Sequence, residues 1–150
     1  VDAYVTVSPK SESSIIGFAD TDEKGHYRLE FTTDADSVTV IESGAFHGCK
    51  KLSSVEIPDT VTEIGESAFY GCEALQSLTI PANITEIDWY AIQNSALKEF
   101  HFQSKTPPYM SSMMSGQYGF PKNCKIYVPQ GSYNAYKSNS SFKDYTIIEE

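Results

Sequence analysis

The residues that could do chemistry are few, and their spacing argues against most of it. The stretch Asp20 to Gly25, DTDEKG, imitates the opening of a calcium loop. Such a loop needs an oxygen ligand at its fifth position and a bidentate carboxylate at its twelfth. Lys24 and Phe31 stand there instead, so the stretch reads as a hairpin turn. None of His26, His47 and His101 stands four residues from another histidine, as the helical zinc-binding pattern requires. All three read as solvated surface residues. Cys49, Cys72 and Cys124 are odd in number and contain no Cys-x-x-Cys, which indicates neither a disulfide framework nor a zinc site. They are expected to act as small buried hydrophobes. There is no Gly-x-Ser-x-Gly, no phosphate loop and no dinucleotide fingerprint. No catalytic residue, metal or cofactor is assigned, and the chain is not read as an enzyme.

Charge removes further classes. Twenty acidic against 11 basic residues give −9, and no basic run exceeds Lys50-Lys51. Nucleic acid and anionic bilayers are bound by clustered cations, so both are excluded as partners. No stretch of about 18 apolar residues is present to span a membrane. No signal-peptide pattern opens the chain, and without an initiating Met the missing address carries no weight about compartment.

The elements that position these side chains are set by a repeat. Residues 38–60 read VTVIESGAFHGCKKLSSVEIPDT and residues 61–83 read VTEIGESAFYGCEALQSLTIPAN. A shift of 23 superposes Ile41 on Ile64, Phe46 on Phe69, Gly48 on Gly71, Leu52 on Leu75 and Val55 on Leu78. A third copy over 84–103 keeps Ile87, Ala91 and Ile92, then drops one residue so that Leu97, Phe100 and Phe102 follow in place. Such drift suits a terminal repeat. Leu75-x-x-Leu78-x-Ile80 ends in alternation, which argues a short strand closed by Pro81. The apolar spacing of Ile64, Ala68, Phe69, Cys72 and Leu75 is nearer helical, and Gly65 and Gly71 limit it to about one turn of α or 3₁₀ helix. One coil cannot bury its own apolar edge, whereas stacked coils merge those edges into one core.

The phrase IGESAFYGCEALQSLTIPANITEI resembles the leucine-rich repeat of BspA-type surface proteins of gut and oral bacteria and some protozoan parasites. KTPP at 105–108 and the following CKIYVPQGSYNAYKSNSSFKDYTIIEE resemble that family's ending. That resemblance implies a last strand, a VP-G-S turn, a Tyr-Lys helix and a final strand. The expected fold is therefore a β-rich leucine-rich-repeat solenoid of right-handed α/β-type coils, with three 23-residue repeats and very short helical turns. A β N-terminal cap and a mixed C-terminal cap close it.

Residues 1–37 read as strands in YVTVS, IIGFAD and HYRLEFTT. FADTDEKGHYRLEF resembles the core hairpin of a carboxypeptidase-regulatory-like β-sandwich, so this segment is an N-terminal cap or a truncated sandwich. Residues 38–103 hold the repeats and 104–150 the C-terminal cap. There Tyr109, Tyr118, Phe120, Tyr127, Tyr133, Tyr136, Phe142 and Tyr145 are expected to cover the edge of the third coil.

Repeat proteins bind through the surface that stacking creates. The outward strand residues are Ser54 and Glu56, then Ser77 and Thr79, then Glu99 and His101. Trp89 and Tyr90 replace Ser43-Gly44 and Glu66-Ser67 of the earlier coils, as a hot spot, a sugar platform or packing beneath the cap would require. Glu63 and Glu86 meet across coils at about 5 Å, an acid ladder that faces solvent. Asn83-Ile84-Thr85 and Asn139-Ser140-Ser141 fit the glycosylation rule, which matters only in a eukaryotic secretory path. The resemblance implies an extracellular or cell-surface adhesion module with a protein partner, such as a host extracellular-matrix protein. The alternative is a glycan bound beside Trp89.

Overall fold

Alternation in the short apolar segments builds one wall of the molecule. The computed structural model describes residues 7–9, 19–21, 26–29, 39–88, 90–93, 95–111, 120–121 and 123–150. Strand β1 spans Val7–Pro9, β2 Ala19–Thr21, β3 His26–Leu29, β4 Thr39–Ile41, β5 Ser54–Glu56 and β6 Val61–Ile64. Strand β7 spans Ser77–Ile80, β8 Glu86–Ile87, β9 Glu99–Phe102, β10 Tyr109–Met110, β11 Lys125–Val128 and β12 Thr146–Glu149. One α-helix, α1, covers Tyr133–Ser138.

Each coil crosses the molecule twice, which produces two walls. In the first, β7, β9, β11 and β12 run parallel, with Leu78 opposite Phe100 and Phe100 opposite Ile126. In the second, β4, β6, β8 and β10 run parallel and stack Ile41, Ile64, Ile87 and Met110 in one buried column. That column has one rung more than the three copies legible in the sequence, because Met110 continues the 23-residue spacing. Val55 lies on β5, which sits beside β7 without sharing a ladder with it and pairs in parallel with β3. Both walls are covered at their N-terminal side: β1 lies antiparallel on β4, and the β2–β3 hairpin adjoins β5. DTDEKG falls at that hairpin, with Thr21 opposite Tyr27. Residues 22–25, Phe31, Trp89 and Tyr118 lie outside the described residues, and so does the side chain of His26.

The expected helical turns do not form. Over residues 44–49 the amides alternate in their use. Ala45, His47 and Cys49 close tight turns onto Glu42, Gly44 and Phe46, at 2.9–3.1 Å. Gly44, Phe46 and Gly48 instead donate to Glu66, Ala68 and Tyr70 of the next coil, at 2.7–2.8 Å. Phe69 and Gly71 repeat this toward Ala91 and Gln93. Half the amides therefore point along the stacking axis, which a helix forbids. The alternation needs left-handed backbone at every fourth residue: φ is +70° at Gly44 and Gly48, +71° at Gly71, +56° at Ser67 and +52° at Tyr90. The near-helical apolar spacing is met because tight turns also return side chains to one side. Phe46 and Phe69 stack there with centroids 5.0 Å apart and planes 7° from parallel.

Neighbouring coils approach closely at Gly65, where a Cβ would lie 2.8 Å from the amide nitrogen of Ser43 and 2.9 Å from the carbonyl of Ile41. At the far end, Phe120, Tyr136 and Phe142 pack onto Phe100 and Phe102, with Phe102 and Phe142 meeting edge to face at 5.4 Å. The Tyr136 hydroxyl donates to the carbonyl of Ser104 at 2.9 Å, and the Tyr145 hydroxyl to that of Phe120 at 2.9 Å. Helix α1 is anchored where the Tyr133 amide donates to Glu149 Oε1 and Lys137 Nζ to the carbonyl of Lys143. Two tyrosines expected in this cover are not in it. Tyr109 is 61% exposed and Tyr133 42% exposed. Tyr109 occupies the outward position in register with Glu86, and Tyr133 starts the helix on its solvent side.

Candidate recognition surface

Outward positions on the first wall form two rows at the strand spacing. Ser77, Glu99, Lys125 and Thr146 are register partners in one row, and Thr79, His101, Tyr127 and Ile148 in the other. Ser77 and Thr79 are exposed, Glu99 and His101 half-buried. Ser54 and Glu56 are exposed on β5, one coil earlier and across the break in the ladder. Tyr90 is half-buried in the turn segment between β8 and β9, off the strand face. Its left-handed backbone occupies the register that holds Gly44 and Ser67 in the earlier coils.

Spacing alone misses Tyr127 and Glu150. Tyr127 lies 26 residues after its register partner His101, so the 23-residue period skips it. His101 is not a solvated residue. Its ring stacks on Tyr127 at 4.5 Å and 4°, and its Nδ1 lies 2.9 Å from Glu150 Oε1. The Tyr127 hydroxyl donates to Glu99 Oε1 at 3.3 Å, and His101 Nε2 sits 4.0 Å from Glu99 Oε2. Flat rings on adjacent parallel strands stack because the strand spacing is close to a ring-contact distance. The same holds on the turn side, where the exposed His47 stacks on Tyr70 at 5.0 Å.

The remaining chemistry is buried or solvated. Cys72 donates its thiol to the carbonyl of Phe46 at 3.3 Å, and burial pushes its pKa up to about 12. Cys124 is likewise pushed up to about 12, by burial first and the Glu99 carboxylate second. Burial also raises half-exposed Cys49. These thiols are poor nucleophiles and poor metal ligands, both of which need the thiolate. Glu63 and Glu86 are register partners, as the repeat demands, and both are half-buried. Among the described residues no group of three or more His, Cys, Asp or Glu could hold a metal ion. Among them, too, no helix is long and apolar enough to cross a membrane.

Short parallel strands at one register per coil, joined by tight turns, define a leucine-rich-repeat solenoid. A family model described as a BspA type leucine-rich repeat region of six copies matches residues 25–118, more than half of the chain. The chain belongs to that family. It is similar in fold to a leucine-rich repeat protein of Bacteroides ovatus, with TM-score 0.51 and 24% identity. That match covers 73% of this chain but 28% of the other. It is also similar in fold to the leucine-rich repeat protein of T. pallidum, with TM-score 0.59 and 20% identity over 84% of this chain and 62% of that one. The chain thus spans less than two thirds of the length of either. No curated protein matches it.

Proposed function

We propose that this chain is a non-catalytic recognition module of a secreted or cell-surface bacterial protein, docking a protein partner across the first wall and the adjacent strand β5. Ser54, Glu56, Ser77, Thr79, Glu99 and His101 form the docking face, with residues 1–37 and 104–150 acting as caps. The observation that carries this reading is the pair of outward rows through Ser77 and Thr79, held in register by parallel pairing. Side chains on such rows recur every ~4.8 Å, a rigid array that a partner of complementary shape can engage over roughly 800 Å². Membership of a BspA-type repeat family supports an interaction role and a surface location.

The test is a binding screen against extracellular-matrix proteins, with a glycan array in parallel, using wild type, Thr79→Arg and Trp89→Ala. Binding of a protein that is lost in Thr79→Arg, with unchanged thermal unfolding, is expected. Protein binding that survives Thr79→Arg, glycan binding that depends on Trp89, or hydrolysis abolished by a single acidic or serine substitution would each overturn the reading.

A further inference from the structure

Cys49 and Cys72 occupy the same place in successive coils, and the second reaches toward the first. The Cys72 thiol donates to the carbonyl of Phe46 at 3.3 Å, and the Cys49 amide donates to that same oxygen at 3.1 Å. Cys72 Sγ therefore lies across the coil boundary, beside the backbone of Cys49. The preceding residues show how near the coils come here: a Cβ added at Gly71 would lie 3.6 Å from Gly48 Cα. Cys72 is fully buried, and half-buried Cys49 packs against the same core. The third coil offers no counterpart, since Ser95 turns its hydroxyl onto the carbonyl of Ile92 within its own coil.

The two cysteines stand at the corners that feed β5 and β7. The Cys49 carbonyl accepts from Leu52 at 3.0 Å and the Cys72 carbonyl from Leu75 at 3.2 Å. Strands β5 and β7 lie side by side without a shared ladder, whereas β7 and β9 pair at every position from Ser77 to Ile80. The seam between the first and second coils is thus joined through β4 and β6 and through the turn amides, but not along the first wall.

We propose that Cys49 and Cys72 form a reversible cross-link that staples this seam when the chain meets a low-molecular-weight disulfide, RSSR. Half-exposed Cys49 opens the reaction: its thiolate attacks one sulfur of RSSR, the S–S bond breaks and RS⁻ leaves. Cys72 Sγ then attacks Cys49 Sγ, breaking the mixed disulfide and releasing the second RS⁻. Each cysteine gives up one proton and the two leaving thiolates take them. Two protein thiols and RSSR become one protein disulfide and two RSH. Parallel coils stack at ~4.8 Å, inside the Cα separation of roughly 4.4–6.8 Å that a disulfide bridges. With Cys72 already leaning across, closure asks chiefly for a new Cys49 rotamer. Burial holds both thiols above their ordinary range, so the exchange runs slowly near neutrality and quickens as pH rises.

The test incubates the 150-residue chain with oxidised glutathione at about pH 8, alkylates the remaining thiols and maps the tryptic peptides by mass. The chain should lose two hydrogens, retain no glutathione and join the Cys49 peptide to the Cys72 peptide, with Cys124 still reduced and a reductant reversing the link. Closing that loop should raise the thermal unfolding midpoint by about 6 °C and slow amide exchange over β5 about tenfold. Cys49→Ala, at a half-exposed site, should leave Cys72 unreacted under the same treatment. A glutathione adduct persisting on Cys49 beside a free Cys72, a link that forms only in denaturant, or a bond to Cys124 or to a second chain overturns the proposal. So does a cross-link that moves neither the midpoint nor the exchange of β5, because it would then staple nothing.

Discussion

Leu78 and Phe100 are register partners on adjacent parallel strands although 22 residues separate them, while Ile64 and Ile87 on the other wall pair at 23. The third coil lacks one residue, yet neither wall slips. Gly71 still donates to Gln93, so the missing residue is taken up between Gln93 and Leu97, at a corner. A one-residue slip inside a strand would turn every inward side chain outward. At a corner it costs only a change of turn.

Leu78 is fully buried in the spine and Thr79 beside it is exposed. Leu78→Ala should cost about 3 kcal/mol of unfolding free energy, and Thr79→Ala less than about 0.5 kcal/mol. Urea denaturation followed by circular dichroism separates them. Equal effects would mean that the wall is not a packed core.

Gly65 and Gly48 should respond differently to alanine. At Gly65 the added methyl meets backbone on the neighbouring coil at 2.8 Å, so two coils must part. At Gly48 nothing lies within 4 Å, and only the φ of +70° is strained. Gly65→Ala is expected to cost about 3 kcal/mol and Gly48→Ala about 1 kcal/mol. The order of their denaturation midpoints checks this.

Tyr90 adopts a φ of +52° in the register that Gly44 fills in the first coil. Comparing two truncations removes the ring from both sides of the ledger. Tyr90→Gly should be more stable than Tyr90→Ala by about 1 kcal/mol, the reverse of the order expected at a right-handed position. Thermal unfolding of the two variants decides it.

The buried thiols set an alkaline limit. Cys72 and Cys124 are held up to about 12 in the fold, against about 8.5 in an unfolded chain. A raised folded pKa means that the native state keeps its proton longer, so the stability they contribute is whole below the unfolded pKa. It is lost as pH rises from about 8.5 toward 12. Burial raises Tyr136 and Tyr145 as well, which adds to the same loss. Denaturation midpoints should be level near neutrality and fall above pH ~9. At pH 8, a thiol reagent should label half-exposed Cys49 first, with Cys72 and Cys124 reacting only on unfolding; early labelling of Cys72 would contradict its burial.

Much of the fold was legible because the coil repeats itself. Ile41, Ile64 and Ile87, or Leu78 and Phe100, declare their partners by spacing alone. The turn geometry was not legible, since the apolar spacing from Ile64 to Leu75 suits a helix and a chain of tight turns alike. What decides is the coil-to-coil hydrogen bonding of Phe46 and Gly48, a non-local fact. Met110 was missed as a fourth rung because its strand carries only one inward residue. On the outer side of the first wall, the outward positions of Glu99 and His101 were legible from register. Tyr127 and Glu150 were not, because the period changes where the last coil gives way to its cover. Trp89, the sharpest anomaly in the sequence, lies outside the described residues.

The alternation of amides at Gly44, Phe46 and Gly48 also fixes how the molecule should answer force. Its inter-coil bonds run along the stacking axis, so tension between the first coil and the last loads a few of them at a time. Coils should come away in succession, each at a modest force, as a zipper opens from its end. Load applied across the axis would have to shear all rungs together. A module that tethers one surface to another would then yield by lengthening in steps while its remaining coils stay folded.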